Sequence, residues 1–172
     1  MSTHWPSAPE VIPSFTRVGP KTVLPFHRVV QQDQDDLFLN RIAQRAMSRT
    51  GATGSAIALS DGDAVTCWAR AGLTAPQLGA EVEPGSGLCA RSMSIGKVLV
   101  CDDAEMDSRA DQEACSHLDI KSIAAVPLHG GGGAVVGVLA VFSTLRCVFD
   151  QAATATLEQL STLIEGAIRA AA

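Results

Sequence analysis

Apolar residues recur along this chain in two rhythms. At Leu39, Ile42, Ala43, Ala46 and Met47 the spacing is that of one helical face. Asp33, Asp35 and Asp36 just before it supply the negative charge that favours a helix N-terminus, and Gly51 and Gly54 end the run. The rhythm then changes. "GSAIALSDGDAVTCWARAG" sets two apolar runs either side of Asp61-Gly62, which predicts a β-hairpin with strands near 55–60 and 64–70. "EVEPGSG" leads into a short helix over Leu88 to Met93, then a turn at Gly96 and a strand ending at Cys101. Asp111 is placed to cap another short helix carrying Glu113, Cys115 and Leu118. "SIAAVPL" and "AVVGVLAVFS", joined by His129 and the four glycines 130–133, predict a second hairpin. Asp150 caps a last helix striped by Leu157, Leu160, Ile164, Ala167 and Ala171, and widened by Leu163 and Ile168.

The order is helix, two strands, short helix, strand, short helix, two strands, helix. Hairpins at both ends of the strand set favour an antiparallel sheet with helices segregated from it, an α+β plan. Residues 1–32 carry five of the eight prolines without periodicity and read as a flexible extension; residues 33–172 read as one domain.

Composition narrows the partners. A net charge of −5 with no run of Lys or Arg argues against a nucleic-acid groove or an anionic membrane surface. The longest apolar stretch, "AVVGVLAVF", is too short to span a bilayer. Five cysteines, an odd number with no C-x-x-C pair and no export signal, suggest free thiols in a reducing, cytoplasmic setting.

Candidate chemistry concentrates in "VCDDAEMDSRADQEACSHLDIKSIAAVPL", residues 100 to 128, which holds two cysteines and seven carboxylates. A loop this polar cannot pack into an apolar core, so it lies at the edge of one, over a concave site. Cys101, Asp102, Asp103, Asp107, Asp111 and Cys115 offer metal-ligand atoms, but no histidine falls at a helical partner spacing and His117 lies on another face from Cys115. No metal is expected. "PGSGL" before a helix offers backbone N–H groups to an anion, although Gly85 and Gly87 more simply make a tight turn. Trp68 is core or a ligand platform, Ser122 a backbone partner or a ligand contact. Arg109, between Asp107 and Asp111, forms local ion pairs or clamps an anionic ligand.

"GATGSAIAL", "GSGLCARSMSIGKVLVCDDAEMDSRAD", "LDIKSIAAVPL", "GGAVVGVLAVFS" and the helix after "VFD" together resemble a GAF domain over residues 36 to 171. The resemblance implies a central antiparallel sheet of five to six strands with the N- and C-terminal helices on one face. Short helices and loops roof a ligand pocket on the other, residues 100–118 forming the roof and "SIAAVPL" part of the floor. It implies a non-enzymatic sensor in signal transduction, without a cofactor, that binds an unidentified small molecule and signals through its terminal helices. The implied ligand contacts are Trp68, Leu88, Cys89, Cys101, Asp103, Asp107, Arg109, Asp111, Cys115 and Ser122. A ligand-free dimerisation module is a second possibility. The signature of cyclic-nucleotide-binding members is absent.

Free methionine-R-sulfoxide reductases are GAF enzymes, and the resemblance places Cys89 and Cys115 at two of their cysteines. Their middle cysteine corresponds to Leu99, with Cys101 two residues further on, and their floor-strand glutamate to Ile123. Were this chain such an enzyme, Cys89, Cys101 and Cys115 would carry the chemistry. Cys101 and Cys115 bracket the acidic loop and are candidates for a reversible disulfide. The terminal helices carry more apolar surface than one sheet face needs, so a homodimer through them is expected.

Overall fold

The computed structural model describes residues 26–171, with side chains from residue 35 onward. The elements are α1 (Phe26–Thr50), β1 (Gly54–Asp61), β2 (Ala64–Gly72), α2 (Gly87–Ile95), β3 (Leu99–Cys101), α3 (Gln112–Leu118), β4 (Ser122–His129), β5 (Val135–Ser143) and α4 (Gln151–Ala171). The bulk of the proline-rich extension, residues 1–25, lies outside the described residues. α1 differs from expectation at its start. It begins at Phe26, where no proline interrupts the chain until residue 76, so Asp33, Asp35 and Asp36 lie within the helix and its first turn holds no acid.

The five strands form one antiparallel sheet in the order β2-β1-β5-β4-β3. Both faces are covered. On one face α1 and α4 pack on the sheet and on each other. Leu39, Ile42 and Ala46 of α1 and Leu157, Leu160 and Ile164 of α4 meet Ile57, Val126, Leu139 and Val141 there. On the other, α2 and the loops around α3 cover Ala56, Ala58, Ile123, Ala125, Val138, Ala140 and Phe142. This double burial is why "SIAAVPL" and "VGVLAVFS" read as unbroken apolar runs rather than an alternation. Pro127 is tolerated inside β4 because β3 stops at Leu99, opposite Ala125, and asks nothing of the missing N–H.

Elsewhere local signals mark the helix ends. Asp111 and Asp150 accept the backbone N–H groups of Ala114 and Ala153 at 3.0 and 2.9 Å, and Gly96 closes α2 in the left-handed conformation. β2 departs from the simple hairpin. Ile57 pairs with Ala69 and Ala58 with Cys67, so Trp68 is the extra residue of a bulge. Its ring consequently packs against the helix-side core, away from the roof. The outer edge of β2 is closed by Gly79–Val82, with Cys67 and Val82 N–H groups donating to Ala80 and Val65 carbonyls at 2.9 and 2.8 Å. α4 buries most of its stripe under the sheet, leaving Leu163 half-exposed. No helix of the described residues is long and apolar enough to cross a membrane.

Two glycines make opposite cases. A Cβ at Gly137 would stand 2.3 Å from the Ala58 carbonyl oxygen, so β1 and β5 could not keep their spacing. Gly166, inside α4, has open space around it. Gly137→Ala should cost upwards of about 2 kcal/mol and Gly166→Ala should add about 0.5–1 kcal/mol, read as urea midpoints. Equal shifts from the two would show the packing at Gly137 to be looser than described.

Candidate functional site

The roof runs from Asp102 to Asp111 and meets its own polar requirements. Asp107 is gripped by Arg109, whose Nε and Nη2 donate to the two carboxylate oxygens at 2.9 and 2.6 Å and whose backbone N–H adds a third bond. Arg109 Nη2 also donates to the Val100 carbonyl on β3 at 3.0 Å. These hydrogen bonds from Arg109 hold the Asp107 carboxyl well below the usual carboxylate range, against the opposing effect of burial. Gln112 donates to the carbonyls of Ala104 and Asp107 at 2.7 and 3.0 Å, tying the loop beneath itself. Asp103 pairs with Arg146 at 2.9 Å, and Glu105 pairs with both Arg146 and Lys121. Asp111 caps α3 and accepts from the Ser86 hydroxyl at 3.1 Å, joining the roof to the entry of α2. Of the carboxylates expected to face a ligand, Asp103, Asp107 and Asp111 therefore each hold the protein itself. Arg109 takes the local ion-pair role.

Beneath the roof lies core. Leu88, Cys101, Cys115, Ala104, Ala110, Ile120 and Phe142 pack there, with Cys67 on the floor and Cys89 at the margin. All five cysteines are free. Burial pushes Cys101 up to about 12, with the Asp107 carboxylate adding to the effect, and pushes Cys115 up to about 11, with Asp111 adding. Cys89 is likewise raised to about 12, by burial first and then by Cys115 and Cys67. A thiolate is the nucleophile, so these thiols are held in their unreactive form near neutrality. Ser122, fully buried, donates to the Leu145 carbonyl at 2.6 Å, the backbone role open to it from the start. Trp68 stands apart from the rest, on the other face of the sheet. Among the described residues no group of three or more His, Cys, Asp or Glu side chains is arranged to hold a metal ion.

The roof side opens instead at a groove of about 570 Å³ between the β2–α2 loop and α3. Glu81, Val82, Glu83, Ser86, Asp111, Glu113, Ala114 and His117 line it. Of these, only Asp111 was among the ligand contacts the sequence implied. Glu81 and Glu83 sit in an irregular loop whose approach to α3 has no local sequence signal. Cys67 was likewise passed over, because the bulge at Trp68 hides which face of β2 it serves.

With the geometry in view, comparison with known proteins is direct. A family model described as GAF domain matches residues 32–169, and the chain belongs to that family. Among solved structures it is similar to the GAF domain region of a Geobacter sulfurreducens protein. The TM-score is 0.70 and the identity 18%, over 82% of this chain and 97% of that one. It is similar also to the GAF domain of an Acinetobacter phosphoenolpyruvate-protein phosphotransferase. There the TM-score is 0.67 and the identity 20%, over 83% and 89% of the two chains. A third is the free methionine-R-sulfoxide reductase of Neisseria meningitidis, in complex with its substrate. Its TM-score is 0.66 at 23% identity, covering 81% of each chain. At such identities the likeness speaks to the fold. No curated protein matches the chain.

Two outcomes follow. Titration of the native protein with a chromogenic disulfide at pH 8 should find one fast thiol, the exposed Cys147, and four that react only on unfolding. Fast reaction at Cys101 or Cys115 would contradict the burial described. The second concerns acid. Asp107 titrates lower folded than unfolded, so its contribution is complete above roughly pH 4 and is lost as pH falls through its folded value. Asp107→Asn should lower stability at pH 7 and flatten the acid limb of the stability curve; an unchanged acid limb would remove the Arg109–Asp107 pair from the account.

Proposed function

We propose that this chain is a non-enzymatic GAF regulatory module that takes a small polar ligand at its roof and signals through its terminal helices. The observation that carries the non-enzymatic part is the state of the thiols. A sulfoxide reductase needs a thiolate to attack sulfur and a carboxylic acid to protonate the departing oxygen. Here burial keeps Cys89, Cys101 and Cys115 protonated, Asp107 is held ionised by Arg109, and the residue after Ser122 is the buried Ile123. The groove beside α3 supports the ligand half: Ser86 and His117 supply hydrogen-bonding groups, and its carboxylates favour a ligand bearing positive charge. The buried contacts between α1 and α4 support output through the terminal helices, whose outward residues Leu37 and Leu163 offer a seam for a second copy.

A free methionine-R-sulfoxide reductase remains the second reading, favoured by the gathering of Cys67, Cys101 and Cys115 in one core with Cys89 beside it. One experiment separates the two. The purified protein, free methionine sulfoxide and a dithiol reductant should yield no methionine above background. Native mass spectrometry of protein from its own host should retain a small molecule, whose binding weakens in Glu83→Gln/Glu113→Gln. Turnover abolished by Cys115→Ser would reverse the preference. No retained mass, and no shift in melting temperature across a metabolite panel, would leave a ligand-free dimerisation module.

A further inference from the structure

In the segment between β5 and α4, residues 144–150, Thr144 and Leu145 bond to Thr53, Ser143 and Ser122, whereas Arg146 and Cys147 are held from the roof. Cys147 N–H donates to the Asp102 carbonyl at 3.0 Å. Arg146 Nε meets Asp103 at 2.9 Å, and its Nη2 meets Glu105. Glu105 reaches on to Lys121, whose carbonyl accepts the Ala104 N–H at 2.7 Å. Cys147 itself sits at φ +56, a left-handed conformation that residues other than Gly, Asn and Asp rarely adopt and that its surroundings must impose. Two residues later Phe149 is buried in the helix-side core, and Asp150 then caps α4.

We infer that Arg146 and Cys147 form a clasp through which the position of the roof is passed to the first turn of α4. The inference rests on the regulatory reading above and supplies its route. Asp103, which looked like a ligand contact, and its neighbour Glu105 are its roof-side half. Exposed ion pairs alone are worth little. Here they act beside a backbone hydrogen bond and a left-handed residue, and only Val148 and Phe149 separate them from the cap of α4. A shift of Asp102–Glu105 therefore pulls on a short, anchored connection. The path crosses from the roof face to the helix face around the sheet's end, without passing through its packed interior, which resists continuous deformation.

Changes confined to the roof should be felt at the helix. In Asp103→Asn/Glu105→Gln, hydrogen exchange at the amides of Cys147, Ala153 and Thr154 should quicken roughly fivefold, while β1–β2 amides keep their rates. Coupling is reciprocal, so Arg146→Gln should quicken the roof amides of Asp103 to Asp107 by a like factor. Arg91→Glu, on the exposed side of α2, should move neither set. If the double variant does not fold, Glu105→Gln alone is read in the same way. Wild-type rates at Ala153 and Thr154 despite a loosened roof would overturn the clasp, as would rates unchanged in both places. The measurement uses no ligand, so its failure leaves ligand binding standing, and a failed ligand search leaves the clasp standing.

Discussion

A sheet whose central strands are apolar on both faces has to be covered twice, and the rest of this molecule depends on that constraint. β1, β5 and β4 bury Ile57, Leu139, Val141 and Val126 on one side and Ala56, Val138, Ala140 and Ile123 on the other. The helix side is covered by two long elements, α1 packed on β2, β1 and β5 and α4 packed on β4. The other side has only a nine-residue helix, a seven-residue helix and loops to cover it. Small side chains make that possible: alanines and cysteines on the strands and in the roof let short, irregular segments approach closely.

The thin cover determines the electrostatics. A loop laid over apolar core must satisfy its own polar groups, since little else is near enough to do so. Hence Asp107 with Arg109, Gln112 bonded to two carbonyls, and Asp111 shared between a cap and Ser86. The same burial that demands these bonds raises the thiols above their ordinary range. What looked like a collection of reactive groups is, for the most part, the internal bonding of a lid.

The fold was legible because each element carried a local signal: helical spacing in α1 and α4, Asp61-Gly62 in the first hairpin, Asp111 and Asp150 as caps, Gly96 as a stop. The start of α1 was not, since three aspartates look like an N-terminal turn wherever they stand, and only the chain before them decides. Trp68 was misplaced among the ligand contacts because a bulge shifts the alternation by one residue and leaves no mark in composition. The site was less legible still. Its residue types could be read from the chain, but whether a carboxylate meets a ligand or an arginine is a question of distance. Arg146 and Lys121 lie 41 and 16 residues from their shared partner Glu105, too far for spacing to reveal.

The Arg109 bond to Val100 has a bearing on solubility. β3 is the free edge of the sheet, and "KVLV" around it is the kind of short, apolar, β-prone segment that recruits strands from other molecules. By occupying the Val100 carbonyl, the guanidinium takes an acceptor away from any incoming strand and sets a charge beside it. Acid strong enough to protonate Asp107 frees that guanidinium to swing away. The protection of that edge is thereby linked to the ionisation of one carboxylate.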